Sequence, residues 1–180
     1  MSVTPSLRER ALRFLAQREH SRAELARKLA PHAESDEQLS QLLDSLAERR
    51  LLSDERYADS RSHLLARKYG SSRIFQDLKA HGVDADLARE TAAGARAGDL
   101  ERAREIWRRK FRTAPTSRQE RARHMRFLQS RGFSFEVIRA VLQDDLGESG
   151  MARSVVVVST SDEPSLMRRQ AAYTTMSIAK

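Results

Sequence analysis

Cysteine is absent from the 180 residues, which removes disulfides, thiolate metal ligands and cysteine nucleophiles from consideration and suits a reducing compartment such as the cytoplasm. Long apolar runs are missing too. Residues 1–13 are charged every few positions, and nowhere is there an uninterrupted apolar stretch long enough for a signal peptide or a bilayer span, so neither secretion nor membrane insertion is expected. The five histidines, His20, His32, His63, His81 and His124, form no helical i, i+4 metal pair with an intervening glutamate. The one glycine-rich stretch, Gly94 to Gly98, lacks the lysine and strand context of a phosphate loop and reads as a linker. Asp144 and Asp145, as helix neighbours, would point apart and have no apparent third carboxylate. No constellation for catalysis is present, so the expectation is a non-enzyme without cofactor, metal or small-molecule substrate.

What the chain does have is positive charge and helical periodicity. Lys and Arg number 33 against 25 Asp and Glu, a net charge of +8, which favours a polyanionic partner. From residue 5 to about residue 146 apolar residues recur at helical spacing, punctuated by start and stop residues. Thr4-Pro5 reads as a cap and first-turn proline before Leu7, Ala11, Phe14 and Leu15. Ser21 with Glu24, Ser35 with Gln38 and Ser117 with Glu120 read as capping boxes. Ser53-Asp54, Asp84, Asp99 and Ser134 open further helices. Tyr57, Leu64 and Leu65 share one stripe, Gly70, Gly82 and Gly132 stop helices, and Pro115 breaks one.

These segments group in threes. A shift of 50 residues lays Leu78 on Leu128, Gly82 on Gly132, Val83 on Phe133, Leu87 on Val137 and Thr91 on Val141. The first triplet fits with Leu29 lying 49 residues before Leu78, its turn lengthened by residues 31–34. Units this small bury too little apolar surface alone and must stack. The expected architecture is therefore all-α: three tandem three-helix repeats, about nine helices, at 5–50, 53–96 and 99–146, forming an elongated, curved array. A single compact nine-helix bundle is the alternative. The segment 147–180 departs from the pattern and is expected to be disordered. An added strand around Val155 to Val158 and an altered reading frame are the other readings.

The run Ser21-Arg-Ala-Glu-Leu-Ala-Arg-Lys-Leu29, the stretch Leu51-Leu-Ser-Asp-Glu-Arg-Tyr-Ala58, the turn Lys68-Tyr-Gly70, and the segments Leu78-Lys-Ala-His-Gly-Val83 and Phe127-Leu-Gln-Ser-Arg-Gly-Phe-Ser134 together resemble the RecX family of recombination regulators. The resemblance covers about residues 7–146. It implies tandem three-helix repeats, binding to the RecA recombinase and its DNA filament, weaker binding to single- and double-stranded DNA, and modulation, mainly inhibition, of RecA in recombination, repair and the SOS response.

The positive charge is concentrated. Between Asp99 and Arg131 eleven Arg and Lys face four acids, whereas residues 1–98 carry 17 against 15. Arg108, Arg109, Lys110 and Arg112 surround Trp107 and Phe111, and Arg118, Arg121, Arg123, Arg126 and Arg131 follow. With Arg67, Lys68 and Arg73 of the second unit they form the candidate DNA- or filament-binding set. A merely solvated helix face is the plain alternative, and Trp107 is expected in the core rather than as a base-stacking platform. Asp54, Glu55 and Asp59 are candidates to face a protein partner, Asp54 also being a candidate cap. Two other functions fit the residues: a helix-turn-helix transcriptional regulator with a basic helix in the major groove, and an adaptor joining two proteins.

Overall fold

The structure, a computed structural model, describes residues 5–151, with side chains as far as residue 143. Within that range it contains α-helices and one short 3-10 turn, and no strand: α1 (Leu7–Gln17), α2 (Arg22–Leu29), the turn (Ala30–His32), α3 (Asp36–Glu48), α4 (Asp54–Ala66), α5 (Ser71–Ala80), α6 (Ala85–Arg96), α7 (Asp99–Phe111), α8 (Arg118–Ser130) and α9 (Phe135–Met151).

Three consecutive helices build each core. Ala11, Leu25, Leu29, Leu39, Leu43, Leu46 and Leu52 form the first, Tyr57, Ala58, Ile74, Leu78, Val83, Ala88 and Ala92 the second, and Ala103, Trp107, Leu128, Phe133, Ile138, Val141 and Leu142 the third. No buried residue belongs to two of these clusters, so the chain is a tandem repeat and not one bundle. At about 1.5–3 kcal/mol for each fully buried large aliphatic side chain, each unit has a stabilising core of its own.

The 50-residue shift survives in three dimensions. Leu78 and Leu128 are fully buried, and Gly82 and Gly132 take the left-handed φ values of +77° and +80°. The N–H of Val83 donates to the Leu78 carbonyl at 3.1 Å and that of Phe133 to the Leu128 carbonyl at 3.3 Å, the same helix stop twice. The register also places Ala88 on Ile138 and Ala92 on Leu142, all buried.

The joints between units repeat as well. The carboxylate of Asp54, first residue of α4, leaves its own helix and accepts the Arg22 N–H at the start of α2, at 2.7 Å. That of Asp99, first residue of α7, accepts the N–H of Ser71 at the start of α5, at 3.2 Å, and its hydroxyl at 2.6 Å. Each unit thus caps the second helix of the unit before it. Beside each cap sits a glycine turn. The His81 carbonyl accepts the Ser21 hydroxyl at 2.6 Å and the Arg131 carbonyl accepts the Gly70 N–H at 2.9 Å. A Cβ on Gly82 would lie 2.4 Å from Ala23 Cβ, and one on Gly132 2.6 Å from Arg73 Cβ. Among the described residues neither end of the series repeats this joint. At the first, Leu7 stands where Asp54 and Asp99 stand, and Ser6 with Glu9 closes α1 in a capping box. At the last, Ser117 and Glu120 close α8 from within.

Several local expectations are corrected. The cap of α1 is Ser6, not Thr4-Pro5, because only Ser6 has Glu9 at the reciprocal position. Glu24 does not complete a box with Ser21, since Arg18 and Lys28 claim its carboxylate. Gly70 does not stop α4, which ends at Ala66; it precedes α5 with φ −83°, and glycine is required there because a Cβ would lie 2.5 Å from the Gly132 oxygen. Gly94 lies inside α6 and is no linker. The helix α7 ends at Phe111, ahead of Pro115, with Arg112 in the left-handed region. Leu64 leaves the apolar stripe and is 58% exposed. Helix α9 runs through Gly147 to Met151, since glycine weakens a helix by about 1 kcal/mol without breaking it. The remaining expectations for the tail, residues 152–180, lie outside the described residues.

Candidate nucleic-acid interface

Two helices of the third unit carry the basic surface. In α7 the buried stripe is Asp99, Ala103 and Trp107. The Trp107 ring is 2% exposed and its Nε1–H donates to His124 Nδ1 at 3.2 Å, so it belongs to the core and offers no face to a base. Phe111 stacks on His124 at 3.7 Å between ring centres and meets Phe127 edge-on at 5.1 Å. Burial holds the His124 pKa below its ordinary value; the charge of Arg123 adds to this and that of Glu120 opposes it.

The acids of α7 are matched within their own helix. Asp99 holds Arg102 at 2.6 Å, Glu101 pairs with Arg104, and Glu105 pairs with Arg109. Arg108, Arg109 and Lys110 are exposed in the last turn of α7, where the helix dipole favours cations. Arg112 follows, exposed, at φ +60°.

Helix α8 starts from Ser117, whose hydroxyl accepts the Glu120 N–H at 3.1 Å. The Glu120 carboxylate accepts the Thr116 N–H and hydroxyl at 2.8 and 2.9 Å, and these bonds hold its pKa below the usual carboxylate value. With His124 and Leu128 turned inward, Arg123 and Arg126 fall on the opposite face, exposed, with Arg118 exposed on the flank and Arg121 half-buried. Among the described residues no carboxylate lies within ion-pair distance of Lys110, Arg112, Arg118, Arg121, Arg123 or Arg126.

The remaining candidates divide. Lys68, Arg73 and Arg131 meet at the joint of the second and third units: Arg131 donates to the Lys68 carbonyl at 3.3 Å and lies over the Phe127 ring at 4.5 Å, and Arg73 backs onto Gly132. Arg67 lies apart from them, exposed on the rim of a cleft of about 230 Å³ with His63, Arg102, Glu105 and Ile106. Of the acidic trio, Asp54 joins Ser21 in capping α2 by accepting the Arg22 N–H, while Glu55 and Asp59 line a groove of about 740 Å³ with Glu90 and Leu87. The separation of Arg67 from the other cations and the joining role of Asp54 escaped sequence reading, because each depends on a neighbouring unit.

If a unit acted as a helix-turn-helix with its last helix in a major groove, that helix would have to be basic. In the third unit that helix is α9, and its residues FEVIRAVLQDDLGESGM hold one arginine, Arg139, against four acids. The cations sit on α7 and α8 instead.

Comparison with known proteins points one way. Profiles of the RecX family match residues 8–46 with its first three-helix domain, 53–91 with its second and 97–142 with its third. The chain is 50% identical over 138 residues to a protein of Leptothrix cholodnii named regulatory protein RecX, a match covering 77% of this chain and 88% of that one. It is 46% identical over 138 residues to the protein of that name from Herbaspirillum seropedicae, covering 77% and 90%. The crystal structure of RecX from Lactobacillus salivarius superposes with a TM-score of 0.64 at 20% identity, over 77% of this chain and 93% of that one, a likeness of fold.

Proposed function

The chain belongs to the RecX family of regulatory proteins, and on that premise we propose that it binds the RecA recombinase and its DNA filament in the cytoplasm and mainly inhibits RecA's ATPase and strand exchange, without chemistry of its own. The observation that carries this reading is the exposed basic surface at the end of α7 and along α8, on the outermost of three serially joined units. A chain of small units offers many weak contacts, which sum when they engage one polymer together. Phosphate contacts by Arg112, Arg118, Arg123 and Arg126 add a salt-dependent component, weak on naked single- or double-stranded DNA and stronger where recombinase protomers share the binding. Occupying neighbouring protomers hinders the addition or rearrangement that ATP turnover requires.

The alternative, a transcriptional regulator using a helix-turn-helix, is poorly served by an acidic α9. Fluorescence anisotropy of labelled single-stranded DNA, free and coated with RecA, separates the two. The proposal expects binding at lower protein concentration on the coated strand. Equal binding to both, with sequence preference on duplex, would favour the alternative.

A further inference from the structure

The two joints carry an inference about how the units act together. Successive units share no buried apolar residue, and each unit has its own core. What crosses each boundary, besides the close approach of Ala23 to Gly82 and of the Phe133 ring to Gly70, is a polar set. At the first joint it comprises the Asp54 carboxylate on the Arg22 N–H, the Ser21 hydroxyl on the His81 carbonyl and an exposed ion pair of Arg56 with Glu19 at 2.8 Å. At the second it comprises Asp99 on Ser71, the Gly70 N–H on the Arg131 carbonyl, Arg102 on the Ala95 carbonyl, Arg131 on the Lys68 carbonyl at 3.3 Å and an exposed contact of Arg96 with Glu136 at 3.5 Å.

Exposed ion pairs between long side chains fix little. A carboxylate that bonds a backbone N–H, as half-buried Asp54 and buried Asp99 do, fixes more, because both partners are short and the helix holds its N–H groups in place. Asp99 is 1% exposed and engages three donors at once, the Ser71 N–H, the Ser71 hydroxyl and Arg102. The glycine turn fixes distance at one point, and the bonds of Arg102 and Arg131 to carbonyls of the preceding unit, made by long side chains, restrain rotation about it only loosely. The carboxylate, reaching the same helix start from a different helix, supplies the second point.

We propose that Asp54 and Asp99 are positioning residues that lock the angle between successive three-helix units, so that the basic surface of the third is presented in a fixed register to the first two. The consequence for regulation rests on the filament-binding reading above; the lock itself does not. Without it each unit folds but swings on its glycine turn, and contacts meant to engage one polymer together no longer reinforce one another.

The absence of cysteine makes the test direct. In the full chain, nitroxide labels on Gln76→Cys and Gln129→Cys report the distance between the second and third units, and labels on Gln41→Cys and Gln76→Cys report the first joint; all three glutamines are exposed. Asp99→Ala is expected to broaden the Gln76–Gln129 distribution at least twofold while leaving Gln41–Gln76 narrow, and Asp54→Ala is expected to do the reverse. Circular dichroism accompanies each. If an alanine variant loses helix, Asp→Asn at that position decides, and it is expected to broaden the same distribution by a smaller amount. A folded variant with an unchanged distribution would overturn the proposal. Inhibition of RecA is measured in parallel, with a loss of at least tenfold in potency expected for Asp99→Ala. Failure of the parent chain to inhibit would count against the filament reading alone, while the distances still decide the lock.

Discussion

The indole Nε1–H of Trp107 donates to His124 Nδ1 at 3.2 Å, which assigns the histidine proton to Nε2 and requires the ring to be neutral. Phe111 lies against that ring, so a positive charge there would be both desolvated and without the hydrogen bond. His20, 1% exposed, is placed similarly: its Nδ1 donates to the Arg18 carbonyl at 3.0 Å and its Nε2 accepts from the Lys28 ammonium at 2.9 Å.

Both histidines have folded-state pKa values held below the ordinary 6.5, chiefly by burial. The unfolded chain therefore binds more protons in mild acid. Their contribution to stability is fully present above about pH 6.5 and is lost as the pH falls below it. Thermal melts are expected to show a Tm that declines between pH 7.5 and 5, and His124→Leu, which leaves the Trp107 N–H without an acceptor, is expected to be less stable at pH 7.5 by about 1–3 kcal/mol. A flat Tm across that range would contradict the neutral, buried assignment.

Glu24 behaves in the opposite part of the scale. Its hydrogen bond to the Arg18 guanidinium holds its carboxyl at about 2, and the Lys28 ammonium at 3.4 Å assists. Stability from this pair is present above about pH 4.5 and disappears as the pH falls through 2. Since the Arg18 side chain is 51% exposed, solvent screening reduces its strength, and Glu24→Gln is expected to cost about 1–2 kcal/mol at pH 7. The denaturation midpoints of parent and variant should converge as the pH falls through about 2; a constant difference would exclude the pairing as its cause.

Gly132 and Gly94 make a matched contrast. Alanine at Gly132 meets Arg73 and must hold φ +80°, so Gly132→Ala is expected to destabilise the chain by about 1–3 kcal/mol. Gly94 sits in α6 with nothing within 4 Å, and Gly94→Ala is expected to stabilise by about 0.5–1 kcal/mol. Chemical denaturation of both variants tests the joint and the corrected reading of residue 94 together.

Removing Arg118, Arg123 and Arg126 as alanines addresses the basic surface. The slope of log affinity against log salt on duplex DNA should become shallower by about 0.9 for each phosphate that is no longer neutralised, with the melting temperature nearly unchanged. An unaltered slope would show that this face does not meet phosphate.

Much of this architecture was legible in the chain because its determinants are local. Ser35, Ser53, Asp84 and Ser117 cap the helices they precede, and Gly82 and Gly132 stop the helices they follow. What escaped reading depends on partners far along the chain. Asp99 looked like the start of one helix and also caps another 28 residues earlier, and Gly70 looked like a stop but is small because Gly132 approaches it. Leu64 fits the apolar spacing of α4, yet it lines the cleft beside Arg18 and Tyr57 where two units meet, and periodicity within one helix carries no record of that neighbour. The basic surface was visible as composition, whereas the pairing of Arg102 and Arg109 with acids of their own helix, which narrows it, required the fold.

Filament-directed inhibition is tested most directly by the DNA-dependent ATPase of RecA on single-stranded DNA, measured while this protein is titrated in, with naked-DNA binding followed in the same buffer. Inhibition well below one protein per RecA protomer, at concentrations where naked DNA is barely bound, is the predicted result. Unchanged ATPase together with tight, sequence-selective duplex binding would contradict it.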